Sequence, residues 1–222
     1  MFADRIDAGQ RLGANLREFA GRECGGVETV VLALPRGGVP VAYHVAKALG
    51  SPLDVFVVRK LGAPQQPELA MGAIASGGVC VINDEVMRAL HITPEQLAET
   101  AERETRELER RERAYRGDRA PVDVEGKCVL LVDDGVATGY TMRAAVAALR
   151  QRAPMKIIIA VPVAAKDTFE ELKRHADAVV SLMTPYDFAA VGQWYRHFDQ
   201  TSDEEVRLLL ERAADASRSP QM

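Results

Sequence analysis

The chain has 222 residues, 47% of them hydrophobic and 27% charged, the profile of a single soluble domain. Lys and Arg number 28 against 32 Asp and Glu, so no bulk positive field draws in nucleic acid, and any phosphate must be held locally. No run reaches the roughly 20 apolar residues that cross a bilayer, the opening MFADRIDAGQRL is charged where a secretory leader is apolar, and the odd set Cys24, Cys80 and Cys128 fits a reduced cytoplasm better than a disulfide framework.

A first helix is predicted over 6–19, with Leu12, Leu16 and Phe19 on one face. Apolar runs then recur at 30–34, 53–58, 128–132, 157–161 and 178–182. None alternates with polar residues, so they read as parallel strands buried on both sides. Helical patterns at 41–49, 142–149 and 169–175 lie between them. The expected fold is α/β: a Rossmann-like open, mostly parallel sheet with helices on both faces. Two segments break the rhythm. Residues 61–82 are rich in Gly, Ala and Pro, with weak strand character at 70–75 and 79–82. Residues 93–119 form a helical insert that opens on Thr93-Pro94 and carries i,i+4 pairs such as Glu102/Arg106 and Glu107/Arg111. Its thin stripe of Leu97, Ala101, Leu108 and Tyr115 allows a surface helix over the sheet or a projecting, dimer-forming one. The expected domain spans 1–212, including a small hood at 184–212, with 213–222 a frayed tail.

The chemistry concentrates in VLLVDDGVATGYT, residues 129–141. A buried strand ends at Asp133 and Asp134, and a loop of small residues leads into a helix. This places two carboxylates at the carboxyl end of a parallel strand, where open α/β sheets bind ligands. Gly135, Val136, Ala137, Thr138, Gly139 and Thr141 offer backbone N–H groups, two hydroxyls and a helix N-terminus, an anion site sized for a phosphomonoester. Acids beside a phosphate site make sense if the ligand also carries a vicinal diol, whose hydroxyls donate to carboxylates. Those acids also favour positive charge developing on a sugar. The stretch is neither a Walker A loop nor a dinucleotide fingerprint. A second loop, Leu34-Pro35-Arg36-Gly37-Gly38, follows the first strand and offers a guanidinium and exposed amides. The second strand ends in Arg59-Lys60.

The 129–141 stretch resembles the phosphoribosyl-pyrophosphate (PRPP) signature of the type I phosphoribosyltransferases. The PRGG, VRKLGAP and VDDG steps are similar to those of an uncharacterised bacterial branch of that family, over roughly 30–182. The resemblance implies the type I fold and transfer of ribose 5-phosphate from PRPP to a nitrogen acceptor with release of pyrophosphate. It further implies that Arg36, Gly37 and Gly38 cradle pyrophosphate, that Arg59 and Lys60 neutralise its charge, and that Asp133, Asp134 and Lys60 are catalytic. The same resemblance makes 62–74 a mobile lid, brings Mg²⁺ in with PRPP (touching Asp133 and Asp134 through water), and points to a homo-oligomer. Two departures stand out: Gly135 replaces an aliphatic residue, which should loosen the loop, and Ala137 replaces the aspartate of hypoxanthine- and guanine-type members. The acceptor stays open, as does a non-catalytic PRPP sensor. A PRPP-making kinase would need two such domains, and one signature is present. Tyr186, Phe188, Trp194, Tyr195 and Phe198 could stack on a flat acceptor or pack the C-terminal segment onto the core.

Overall fold

In the computed structural model, which describes residues 1–218, the apolar runs become strands in the expected order. The chain enters through α1 (Arg5–Glu23), whose N-cap Asp4 accepts from the Asp7 amide. It continues as β1 (Thr29–Ala33), α2 (Gly38–Leu49), β2 (Leu53–Val55), β3 (Val58–Ala63), β4 (Gln66–Ala75), β5 (Val79–Ile82), α3 (Asp84–Ala89) and α4 (Pro94–Arg116). After these come β6 (Cys128–Val132), α5 (Tyr140–Arg150), β7 (Lys156–Val163), α6 (Lys166–Leu172), β8 (Ala178–Met183) and α7 (Asp203–Arg218). A short 3-10 helix, Val191–Trp194, precedes α7.

The main sheet has the order β2-β1-β6-β7-β8, all parallel. Successive side chains of a strand point to opposite faces, and the two cores divide accordingly. Val31, Ala33, Leu130, Val132, Ile158 and Ala160 pack with α1, α2, α4 and α7. Val30, Leu32, Val129, Leu131, Ile157 and Ile159 pack with Met142, Val146 and Leu149 of α5 and Leu172 of α6. Burial on both faces is why these strands read as unbroken apolar runs.

Four features refine or correct the sequence reading. The segment expected to be a loop is a regular hairpin: β3, β4 and β5 form a three-stranded antiparallel sheet with a turn at Pro64-Gln65, and the weak strand character at 70–75 and 79–82 lies in β4 and β5. Gly62 lies where β3 and β4 come together, and a Cβ there would stand 2.5 Å from the Pro67 carbonyl oxygen. Second, the insert helix α4 lies against the body, the surface-helix alternative of the two the sequence allowed. Its Leu108 and Tyr115 are buried, and its last residue, Arg116, forms a buried ion pair with Asp54 of β2 at 3.1 Å. A capping box between Thr93 and Gln96 starts it, as Thr93-Pro94 foretold. Third, α7 carries helix through Arg218, in place of the frayed tail expected from 213; residues 219–222 of that expectation lie outside the described residues. Fourth, Cys24 and Cys128 form a disulfide, against the reading of reduced cysteines. Cys24 caps the end of α1 and Cys128 opens β6, residues 104 apart in sequence that the α1–sheet packing brings together. Among the described residues no helix is long and apolar enough to cross a membrane.

Candidate functional site

Two loops converge because their strands are neighbours running the same way, while the Arg59-Lys60 step lies within β3. The Arg36-Gly37-Gly38 loop leaves the carboxyl end of β1, and Asp133-Asp134 leaves the adjacent β6. The two are in direct contact. A Cβ on Gly37 would collide with Asp134 Oδ2, and one on Gly38 would stand 2.8 Å from the Val132 carbonyl oxygen and 2.9 Å from Asp133 Cα. Both positions therefore require glycine. The Pro35–Arg36 peptide is cis.

Asp134 is the more tightly held acid. Arg5 Nε donates to its Oδ2 at 2.8 Å, with both side chains 13% exposed. Its backbone N–H donates to Asp133 Oδ1 at 2.8 Å, and its carbonyl oxygen accepts from the Tyr195 hydroxyl at 2.5 Å. Burial, then the neighbouring Asp134 charge, push the Asp133 carboxyl well above its usual range. Burial also raises Asp134, with Arg5 opposing the rise. Tyr195 is pushed up by burial and by Asp134, so its phenol stays a neutral donor.

The loop after the acids is pinned from below and open above. Val136 is buried and pairs with the end of β7, its N–H donating to the Val163 carbonyl oxygen. The Ala137 carbonyl accepts from Thr168 at 2.6 Å, and the Thr138 carbonyl accepts from Arg143 at 3.0 Å. Gly139 has φ +70° and starts α5, leaving Thr138 and Thr141 exposed at the helix N-terminus. Strand, acid pair and pinned loop thus bring two carboxyl groups, two exposed hydroxyls and a helix N-terminus to one place.

The phosphoribosyl transferase domain family matches residues 3–195. The chain belongs to this family. It is 46% identical over 213 residues to Rv0571c of Mycobacterium tuberculosis H37Rv, provisionally named a phosphoribosyl transferase, and equally to MT0597 of strain CDC 1551. These matches take in 96% of this chain and 47% of theirs, so the chain spans about half the length of these curated relatives. The crystal structure of TT1426 from Thermus thermophilus superposes with a TM-score of 0.83 at 43% identity, covering 95% of this chain and 98% of that one.

Within this phosphoribosyl transferase fold, the remaining predicted site residues are less concentrated. Arg36 is partly exposed and lies 3.8 Å from Asp203 at the start of α7. Arg59 turns toward the insert and donates to Glu104 of α4 at 2.6 Å. Lys60 is half exposed and reaches Glu68 across the hairpin at 3.3 Å. Arg59 and Lys60 line a cleft of about 630 Å³ between the hairpin and α4, with Gln96, Glu99 and Arg103; the acid pair is not part of its lining. Gly135 does not loosen the loop. It is buried, and a Cβ there would stand 2.6 Å from Val191 Cγ1 of the 3-10 helix.

Four of the five aromatics of the 186–198 segment make packing contacts. Tyr195 leans on Phe2, Trp194 stacks on Phe188, and Phe198 lies beneath the Arg5 guanidinium at 3.9 Å; Tyr186 is 86% exposed. Sequence reading missed Arg5 and the polar role of Tyr195. The signal at Arg5 was a cation in the first turn of a helix, where the dipole disfavours it unless an acid stands opposite.

Proposed function

We propose that this phosphoribosyl transferase family member binds PRPP and transfers its ribose 5-phosphate to a nitrogen acceptor, releasing pyrophosphate. The observation that carries this reading is the seating of Gly37 and Gly38 against Asp134 and Asp133. PRPP carries its pyrophosphate and its diol on adjoining ring carbons, so the loop for one must abut the acceptors for the other. The 136–141 loop takes the 5-phosphate, and Arg36 with the Gly37 and Gly38 amides takes the pyrophosphate. The bond from the anomeric carbon to pyrophosphate breaks with its electron pair, and the acceptor nitrogen supplies the pair for the new bond. Carboxylates below the ring favour the positive charge that develops between these events. Ala137 offers no base, so the acceptor's proton leaves to water or to the departing pyrophosphate.

Among the described residues no group of three or more His, Cys, Asp or Glu forms a metal cage. The hard oxygens of Asp133 and Asp134 suit Mg²⁺ that arrives on PRPP and is met through water, where it would neutralise the leaving group. A non-catalytic PRPP sensor is the second reading, favoured by the alanine at 137 and by Arg5 sitting on Asp134.

Calorimetry with PRPP and Mg²⁺ tests the binding. Wild type should bind, and Asp133→Asn/Asp134→Asn should weaken binding by about a hundredfold, roughly tenfold for each acid. A folded wild type that gives no heat overturns the proposal. Pyrophosphate release with a panel of purines, pyrimidines and other nitrogen heterocycles then separates transferase from sensor.

A further inference from the structure

Resting on the PRPP reading, we infer that Arg5 divides the acid pair: it commits Asp134 to positioning the pyrophosphate loop and leaves Asp133 as the acceptor for the ribose diol. Two carboxylates side by side in sequence look interchangeable, but their surroundings are not alike. Asp134 Oδ2 lies between the Arg5 guanidinium and the Gly37 backbone. A Cβ on Gly37 would run into that oxygen and stand 3.3 Å from Arg5 Nε. The ion pair therefore fills the space a side chain at 37 would need, and serves as the floor on which this loop rests. Arg5 is itself fixed on its far side. Its Nη1 donates to the Asp199 carbonyl oxygen at 2.6 Å, and its guanidinium covers Phe198. Tyr195 holds the Asp134 backbone from the same segment. An arginine with this many partners is a brace. Asp133, by contrast, is in no ion pair among the described residues; its Oδ1 accepts from the Asp134 amide, its carboxyl also meets that of Asp134, and its neighbour across the loop is the Gly38 Cα region. It is the acid that no cation claims, and a ribose hydroxyl can engage it without displacing an ion pair.

Arg5 is thus a positioning residue, acting on pyrophosphate through Asp134 and Gly37, and the two acids should respond to opposite halves of PRPP. Calorimetry with magnesium pyrophosphate and with ribose 5-phosphate, each alone, reads the halves separately. Arg5→Gln and Asp134→Asn should each weaken pyrophosphate about tenfold while changing ribose 5-phosphate less than about twofold; Asp133→Asn should do the reverse. The Arg5→Gln/Asp134→Asn double variant should lose little more than either single one, since both remove the same brace. Arg5→Lys, which keeps the charge, should recover part of the pyrophosphate affinity. Equal losses of both ligands in Arg5→Gln, or full additivity in the double variant, overturn the inference. Hydrogen exchange of the ligand-free protein supplies a reading that needs no ligand. Arg5→Gln should speed exchange at residues 36–38 while Cys128–Val132 stays protected, and unchanged exchange at 36–38 overturns the division of roles. If wild type binds neither half, the PRPP proposal fails and the exchange result alone decides the brace.

Discussion

Asp133 occupies a place that resists its ionised form. Burial and the neighbouring Asp134 raise its folded pKa above the value of about 3.9 that a free aspartate shows. A carboxyl with a raised folded pKa contributes stability that is complete below the unfolded value and is lost as pH rises through the folded one. Stability should therefore fall from acid toward neutral pH, in the part owed to this group. Asp133→Asn should flatten that fall and gain on the order of 1 kcal/mol at neutral pH. Urea unfolding of both proteins from pH 4 to 8 checks it; a variant less stable than wild type at pH 8 would contradict this account. A residue kept at such a cost fits a functional site. Gly37 and Gly135 teach a related lesson. Sequence showed glycines in loops, but their necessity lies in Asp134 and Val191, which approach from distant parts of the chain.

Elements add couplings that no single residue reveals. The insert helix α4 reaches the Arg36-Gly37-Gly38 loop through α7: the Tyr115 hydroxyl donates to Asp203 at 2.9 Å, and Asp203 pairs with Arg36. Burial, then the Asp203 hydrogen bond, push Tyr115 up to about 12. Its contribution to stability is whole below pH 10 and is lost as pH climbs from 10 to 12. Tyr115→Phe should remove that alkaline loss and cost about 1 kcal/mol at neutral pH, for one hydrogen bond. Thermal melts at pH 7 and pH 11 would reveal the crossover, and parallel pH profiles would argue against it. The hairpin of β3 and β4 was the hardest element to read. Gly62, Pro64 and Pro67 weaken a strand signal locally, and the first half of β4 is exposed. Antiparallel pairing between segments several residues apart supplied what local propensity lacked.

At the scale of the molecule, the disulfide and the brace tie the same two elements at opposite ends. Cys24 closes the C-terminus of α1 onto the first residue of β6, and Arg5 at the other end of α1 meets Asp134 just past its last. Linking residues 104 apart restricts the unfolded chain, worth about 2–4 kcal/mol. Alkylation under native, non-reducing conditions should label only Cys80, which is exposed. All three cysteines should label after reduction and unfolding. Cys24→Ser/Cys128→Ser should melt lower than wild type, and labelling of all three without reductant would rule the bond out.

The parallel core was legible in the chain alone because burial on both faces leaves an unmistakable mark: short, unbroken Val, Ile and Leu runs at helix-length spacing. So was the acid pair with its small-residue loop, since a strand end, two carboxylates and a helix start are all local. Arg5 against Asp134, Arg59 turned to Glu104, and Cys24 joined to Cys128 are contacts across 129, 45 and 104 positions. Nothing near either partner identifies the other. They follow from which helix lies on which face of the sheet, a choice made only when the whole chain packs.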